Sequence, residues 1–142
     1  MKAFALCLMA ALLSGQALAA DNRQIATLPP AAQEALREEM LGNLLAINEI
    51  LTLMAAGKLK EAGEAAEKSL GQSAMGKHRG KPLDARPGAH MPPAMHQIGM
   101  DSHRAASEFA KAAASGDREK ALAELPKLTG GCVACHYSWR TR

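Results

Sequence analysis

Two cysteines and a histidine stand close together near the end of the chain, in the order Cys132-Val133-Ala134-Cys135-His136. Four chemistries use a C-x-x-C pair: a disulfide, half of a zinc site, a thiol redox couple, and, with the following His, covalent attachment of a haem. A zinc site needs a second ligand pair at suitable spacing, and none is present. A thioredoxin-type pair opens a helix after a strand, in a chain that alternates strands and helices, and this chain does not. A disulfide across so short a loop removes little chain entropy and adds little stability. The remaining reading is haem c. Each thiol adds to one vinyl group of the porphyrin, and His136 on the same helical turn supplies an axial nitrogen to the iron.

Such attachment takes place outside the cytoplasm, so the compartment matters. The first residues, MKAFALCLMAALLSGQALAA, put one Lys ahead of a short apolar run that ends in Ala17-Leu18-Ala19. This is the layout of a cleaved secretory signal, too short in its apolar core to span a bilayer stably. Residues 1–19 are therefore expected to be a signal peptide removed after Ala19, taking Cys7 with them. Residues 20–142 form one domain, large enough for a single core. No later stretch is long and apolar enough to span a membrane, and the expected location is the periplasm.

Charge excludes one class of partner. The chain carries 17 Lys and Arg against 14 Asp and Glu. Loss of Lys2 narrows the excess, and two haem propionates would nearly cancel it, so no nucleic-acid partner is expected. No Ser/His/Asp arrangement, carboxylate pair or phosphate loop is visible, and no enzymatic turnover is expected.

The elements that position the motif read as helices. Aromatic residues make up 3% of the chain, and a core of Leu, Ala, Met and Ile with few rings suits packed helices. Thr27-Leu28-Pro29-Pro30 is a helix start, with a hydroxyl to cap and proline in the first turn. From Ala31 to Ala56 the residues Met40, Leu44, Ile47, Leu51 and Met54 recur at steps of four and three, which predicts an inward seam. Gly57 ends this helix. A second is predicted from Lys58 to Ala74, with Leu59, Ala62, Ala66 and Leu70 inward. Gly76 to Pro93 is rich in Gly, Pro and basic residues and reads as a long, solvated connection. The third helix starts at Pro92 or Pro93 and reaches Ala114, with Met95, Ile98, Ser102, Ala105 and Phe109 on one face. Asp117 is placed to cap the fourth, Arg118 to Arg140, with room for bends at Pro126 and at Gly130-Gly131, whose bare backbones leave space for a macrocycle.

A C-x-x-C-H on the last of four helices resembles the class II c-type cytochromes, the family of cytochrome c′ and its low-spin relatives. That family carries an aromatic residue three positions after the haem His and an Arg four positions after it; Trp139 and Arg140 stand there. The resemblance implies an all-α, antiparallel four-helix bundle with a C-terminal haem-attachment helix. It also implies one covalent haem c, His136 as proximal ligand, and Trp139 and Arg140 near the haem. Homodimers are common in the family.

Function within the family turns on the far side of the iron. A Met on the first helix gives a low-spin one-electron carrier serving periplasmic redox proteins; an apolar Leu leaves a five-coordinate iron that binds nitric oxide or carbon monoxide. This chain offers Met40 and Leu41 side by side. At about 100° per residue Met40 falls inside the arc of Leu36, Leu44, Ile47, Leu51 and Met54, while Leu41 lies at its edge. Met40 is the expected sixth ligand, with His103 and an open site as the alternatives. Four of the 5 histidines, with Met75, Met91, Met95 and Met100, lie between Met75 and His103. Imidazole with thioether is also a copper ligand set, and the segment shows no regular spacing that selects it.

Overall fold

The computed structural model describes residues 20–141; the expected signal peptide lies outside the described residues. Four helices follow in order: α1 Pro30–Ala55, α2 Leu59–Ser69, α3 Pro93–Ala114 and α4 Arg118–Ser138. Two short strands, β1 Gln24–Ile25 and β2 Trp139–Arg140, pair in parallel with Gln24 opposite Trp139 and Ile25 opposite Arg140. No helix among the described residues is long and apolar enough to cross a membrane.

Local chemistry accounts for the ends. Pro29 and Pro30 start α1, where the missing N–H groups would be unpaired in any case. The expected hydroxyl cap from Thr27 is absent: Pro29 occupies the cap position, and no side chain bonds the first turn. At the other end Gly57 takes a φ of 74°, and its N–H donates to Met54 O at 3.1 Å. That left-handed conformation suits glycine. Asp117 caps α4 as predicted, its carboxylate accepting from the Lys120 N–H at 3.1 Å.

Two boundaries differ from the sequence reading. Helix α2 stops at Ser69, because its C-terminal turn is held by side chains from elsewhere and followed by a separate 3-10 turn, Gln72–Ala74. Ser107 Oγ donates to Glu67 and accepts from the Gln72 N–H at 2.9 Å, while Glu67 Oε1 accepts from the Ser73 N–H. Helix α4 stops at Ser138, because Trp139 and Arg140 leave the helix to pair with β1.

The helices pack as neighbours: α1 on α2, α2 on α3, α3 on α4. One core joins all four, from Ile50 and Met54 through Ala62, Ala66, Ala106, Phe109 and Ala113 to Ala121 and Leu128. Alanine at these positions brings backbones close; a Cβ built on Gly63 of α2 would lie 2.9 Å from the Ala110 carbonyl of α3. A second, smaller core of Ala26, Leu28, Ala32, Leu36 and Met95 receives Met91, Cys135 and Trp139 at its edge. The connection is not merely solvated: Lys77 and His78 meet Glu39 at 3.1 and 3.2 Å, and Lys81 meets Glu38 at 3.6 Å. Its 3-10 turns at Leu83–Ala85 and Pro87–Ala89 also rest on α1.

The predicted inward seam of α1 is rotated. Met54 is buried and Ile47 partly so, but Met40, Leu44 and Leu51 are 36%, 66% and 48% exposed. The residues that do face the core are Ala46, Ile50 and Met54, one turn apart along a neighbouring stripe. The small Ala46 lets α1 lie close, and the larger residues of the predicted seam then form the flank.

Candidate functional site

The C-x-x-C-H motif occupies the last two turns of α4. Within it Cys132 and His136 are exposed, whereas Cys135 is half-buried against the second core. Burial, and then the negative charge of a neighbouring Cys132 thiolate, push the Cys135 thiol above its ordinary pKa. The two thiols are thus unequal, with Cys132 the more accessible nucleophile.

Helical geometry assigns the motif to a side of the molecule. Ala121 and Leu128 mark the core-facing stripe of α4. Arg118, at the start of α4, donates from Nη1 to Met54 O at the end of α1, at 3.3 Å. At about 100° per residue, Leu125, Thr129, Cys132 and His136 fall within a few tens of degrees of Arg118, on the flank of α4 nearest α1. The opposite flank carries Gly131 and faces α3. A Cβ on Gly131 would clash with the Ser102 hydroxyl and come within 3.0 Å of Ser102 Cβ. The open space expected beside Gly131 is therefore filled by α3, while Gly130 has nothing within 4 Å of its Cβ position.

On α1, Met40, Leu44, Ile47 and Leu51 form the flank turned away from α2. Glu39, which holds the connection, falls on the stripe of Ala46 and Ile50. Between their ends α1 and α4 barely touch. An apolar flank of α1 with Met40 at one end and a flank of α4 with Cys132 and His136 are both exposed, while Cys135 lies half-buried nearer the core. Leu41, 65% exposed, points farther outward than Met40. Thioether, thiol and imidazole donors thus stand on α1 and α4 with exposed leucines beside them.

Trp139 and Arg140 sit on β2 rather than on the helix. Trp139 packs on the second core. Arg140 Nε is buried, 3.3 Å from Asp21 Oδ2, and makes no aligned hydrogen bond. Sequence reasoning missed the segment that reaches this corner. Asp21 binds Arg23 through both carboxylate oxygens, at 2.9 and 2.8 Å, and this pairing holds its carboxyl well below the usual range. Arg23 Nη1 in turn donates to the His136 carbonyl at 3.3 Å, and the Ala26 N–H donates to the Arg140 carbonyl at 2.9 Å. Nothing periodic or motif-like marks Asp21 or Arg23 in the sequence.

Three of the four histidines between Met75 and His103 are engaged elsewhere, and His96 is exposed. His103 Nδ1 lies 2.7 Å from Leu70 O and 3.1 Å from Gly71 O. Both partners are acceptors, so this nitrogen carries the proton, and the ring caps the end of α2. His78 pairs with Glu39 and His90 with the Leu83 carbonyl. Among the described residues no three His, Cys, Asp or Glu side chains converge on a point that could hold a metal ion.

Compared with known proteins, the chain matches no family model, and no curated protein or solved structure matches it.

Proposed function

We propose that the protein is a periplasmic mono-haem c-type cytochrome, a one-electron carrier of the class II type, built as an antiparallel four-helix bundle. One observation supports it above the others. Cys132 and His136 lie on the flank of α4 nearest α1, with Cys135 half-buried beside the core-facing stripe, and α1 presents the exposed apolar flank of Met40, Leu44 and Leu51. Exposed Met and Leu side chains along one helix flank are costly in water unless an apolar surface covers them. The residues therefore fit a haem. The contact of the α1 end with the start of α4, and of the α1 start with the end of α4 through the second core, suits the antiparallel arrangement.

Cys132 and Cys135 would tether the group through thioethers, His136 and Met40 would supply an imidazole nitrogen and a thioether to its iron, and Leu44 and Leu51 would exclude water from it. A bound haem supplies a reversible one-electron redox couple, and a thioether ligand favours its reduced form. Arg140, with its buried Nε, provides positive charge for a carboxylate-bearing edge.

Expression in a host with haem-attachment machinery tests the reading. The chain should gain the mass of one haem that denaturant does not remove, and the Cys132→Ser/Cys135→Ser chain should not. Sharp reduced α and β bands with a weak ferric sulfur-to-iron band are expected, and Met40→Ala should abolish that band and open the iron to carbon monoxide. A broad high-spin spectrum with prompt carbon monoxide binding in the unaltered protein would replace the carrier with a gas-binding protein.

A further inference from the structure

We propose that Asp21–Ala26 is a clasp that positions the iron-ligating end of α4, with Arg23 as its central positioning residue. The inference rests on the haem reading of His136. It begins with a weakness of α4. Pro126, Gly130 and Gly131 are the residue types least suited to a helix interior, and all precede or adjoin the motif. Beyond Leu128, α4 has no fully buried residue. The turn that carries His136 therefore has little packing of its own to hold it.

The same turn ends with unpaired carbonyls, because the last four C=O groups of a helix lack partners within it. Trp139 bonds back to Cys135 O, and the chain then leaves the helix as β2. The His136 carbonyl receives its hydrogen bond from Arg23, 113 residues earlier in the chain. Asp21 fixes that guanidinium and also faces Arg140 Nε, so one carboxylate links the arginine on His136 to the strand that follows it. Strand β1 pairs with β2, and Ala26 and Leu28 anchor the segment in the core against which Cys135 packs. The segment's hydrogen bonds and ion pairs beyond itself thus go to the last turn of α4 and the strand after it. A clasp of this kind fixes the His136 backbone, and the direction of the imidazole follows from it.

Backbone hydrogen exchange of the full processed chain, with and without haem, tests the proposal. In Arg23→Ala, exchange at residues 137–141 should accelerate roughly ten-fold, the size of one charge-assisted hydrogen bond. Exchange within α3 should not change. Arg37→Ala, which removes an exposed arginine paired only with Glu34, should leave both unchanged. In the haem-loaded protein, Arg23→Ala should also raise several-fold the rate at which added imidazole displaces the native ligands, read from the absorption spectrum. A merely structural role would not single out that rate. Unchanged exchange at 137–141, or acceleration spread evenly over all four helices, overturns the clasp. A chain that never acquires haem defeats the functional reading instead, and the exchange measurement still stands for the contacts.

Discussion

Gly131 matters through what it lacks. A Cβ there would collide with the Ser102 hydroxyl and press on Ser102 Cβ at 3.0 Å, and that hydroxyl already donates to the Ile98 carbonyl. Rotating Ser102 removes one clash and breaks one hydrogen bond, but the Cβ contact stays, so α3 and α4 must separate slightly. Gly131→Ala should destabilise the protein by about 1–3 kcal/mol, the usual range for an overpacked contact. Adding Ser102→Gly should recover part of the loss. Urea midpoints of the single and double variants measure both. Such a role was not legible in the sequence, where two glycines before a C-x-x-C-H invite a reading as room for a ligand. The cysteines and histidine stand out in the sequence by type and spacing, and the structure adds where they lie: Cys132 and His136 exposed, Cys135 half-buried. Met40 was half legible: its projection separated it from Leu41, yet neither belongs to the core. Arg23 was invisible, since a lone arginine in a polar stretch acquires meaning only from a partner 113 residues away.

Helices were easier to read than their ends. Periodicity and the Pro and Gly punctuation placed α1, α3 and the start of α4 to within a residue or two, because these signals act locally. The end of α2 escaped, because it is set by a side chain from α3. Ser107 is buried and bonds Glu67, whose carboxylate also accepts from Ser73. The hydroxyl of Ser107 first, and that of Ser73 next, hold the Glu67 carboxyl below its ordinary pKa. A carboxylate with a depressed folded pKa stabilises the fold above the unfolded value of about 4.3, and loses this effect as pH falls through the folded value. Glu67→Gln should therefore cost about 1 kcal/mol at neutral pH. The gap between the two proteins should close as the pH falls below that of the free carboxylic acid. Chemical denaturation repeated between neutral and acid pH would show this, and a gap independent of pH would mean that Glu67 acts through packing alone. The rotation of α1 has the same kind of origin: five apolar residues at coiled-coil spacing define a stripe, but whether a helix or a ligand covers it depends on where the neighbouring helices settle.

At the scale of the whole molecule that rotation yields the sharpest discrimination. Leu44 and Leu51 are largely exposed, and truncating an exposed side chain usually shifts stability by less than about 0.5 kcal/mol. If a haem spans the α1 and α4 flanks, the same side chains become buried, and Leu→Ala at a buried site costs about 2–5 kcal/mol. Leu44→Ala and Leu51→Ala should thus be nearly neutral in the Cys132→Ser/Cys135→Ser chain and clearly destabilising in the loaded protein. The difference between the two backgrounds isolates the coupling of each leucine to the group tethered at Cys132 and Cys135, free of any effect the truncation has on the helix itself. Leu41→Ala, on the outward face of α1, serves as the reference, because its side chain points past the flank and should be near neutral in both backgrounds. An equal cost in both backgrounds for Leu44 and Leu51 would show that the group, if attached, lies elsewhere. A cost at Leu41 that is as large in the serine chain as in the loaded protein, and that grows with protein concentration, would instead show that a second copy of the chain covers the outer face of α1.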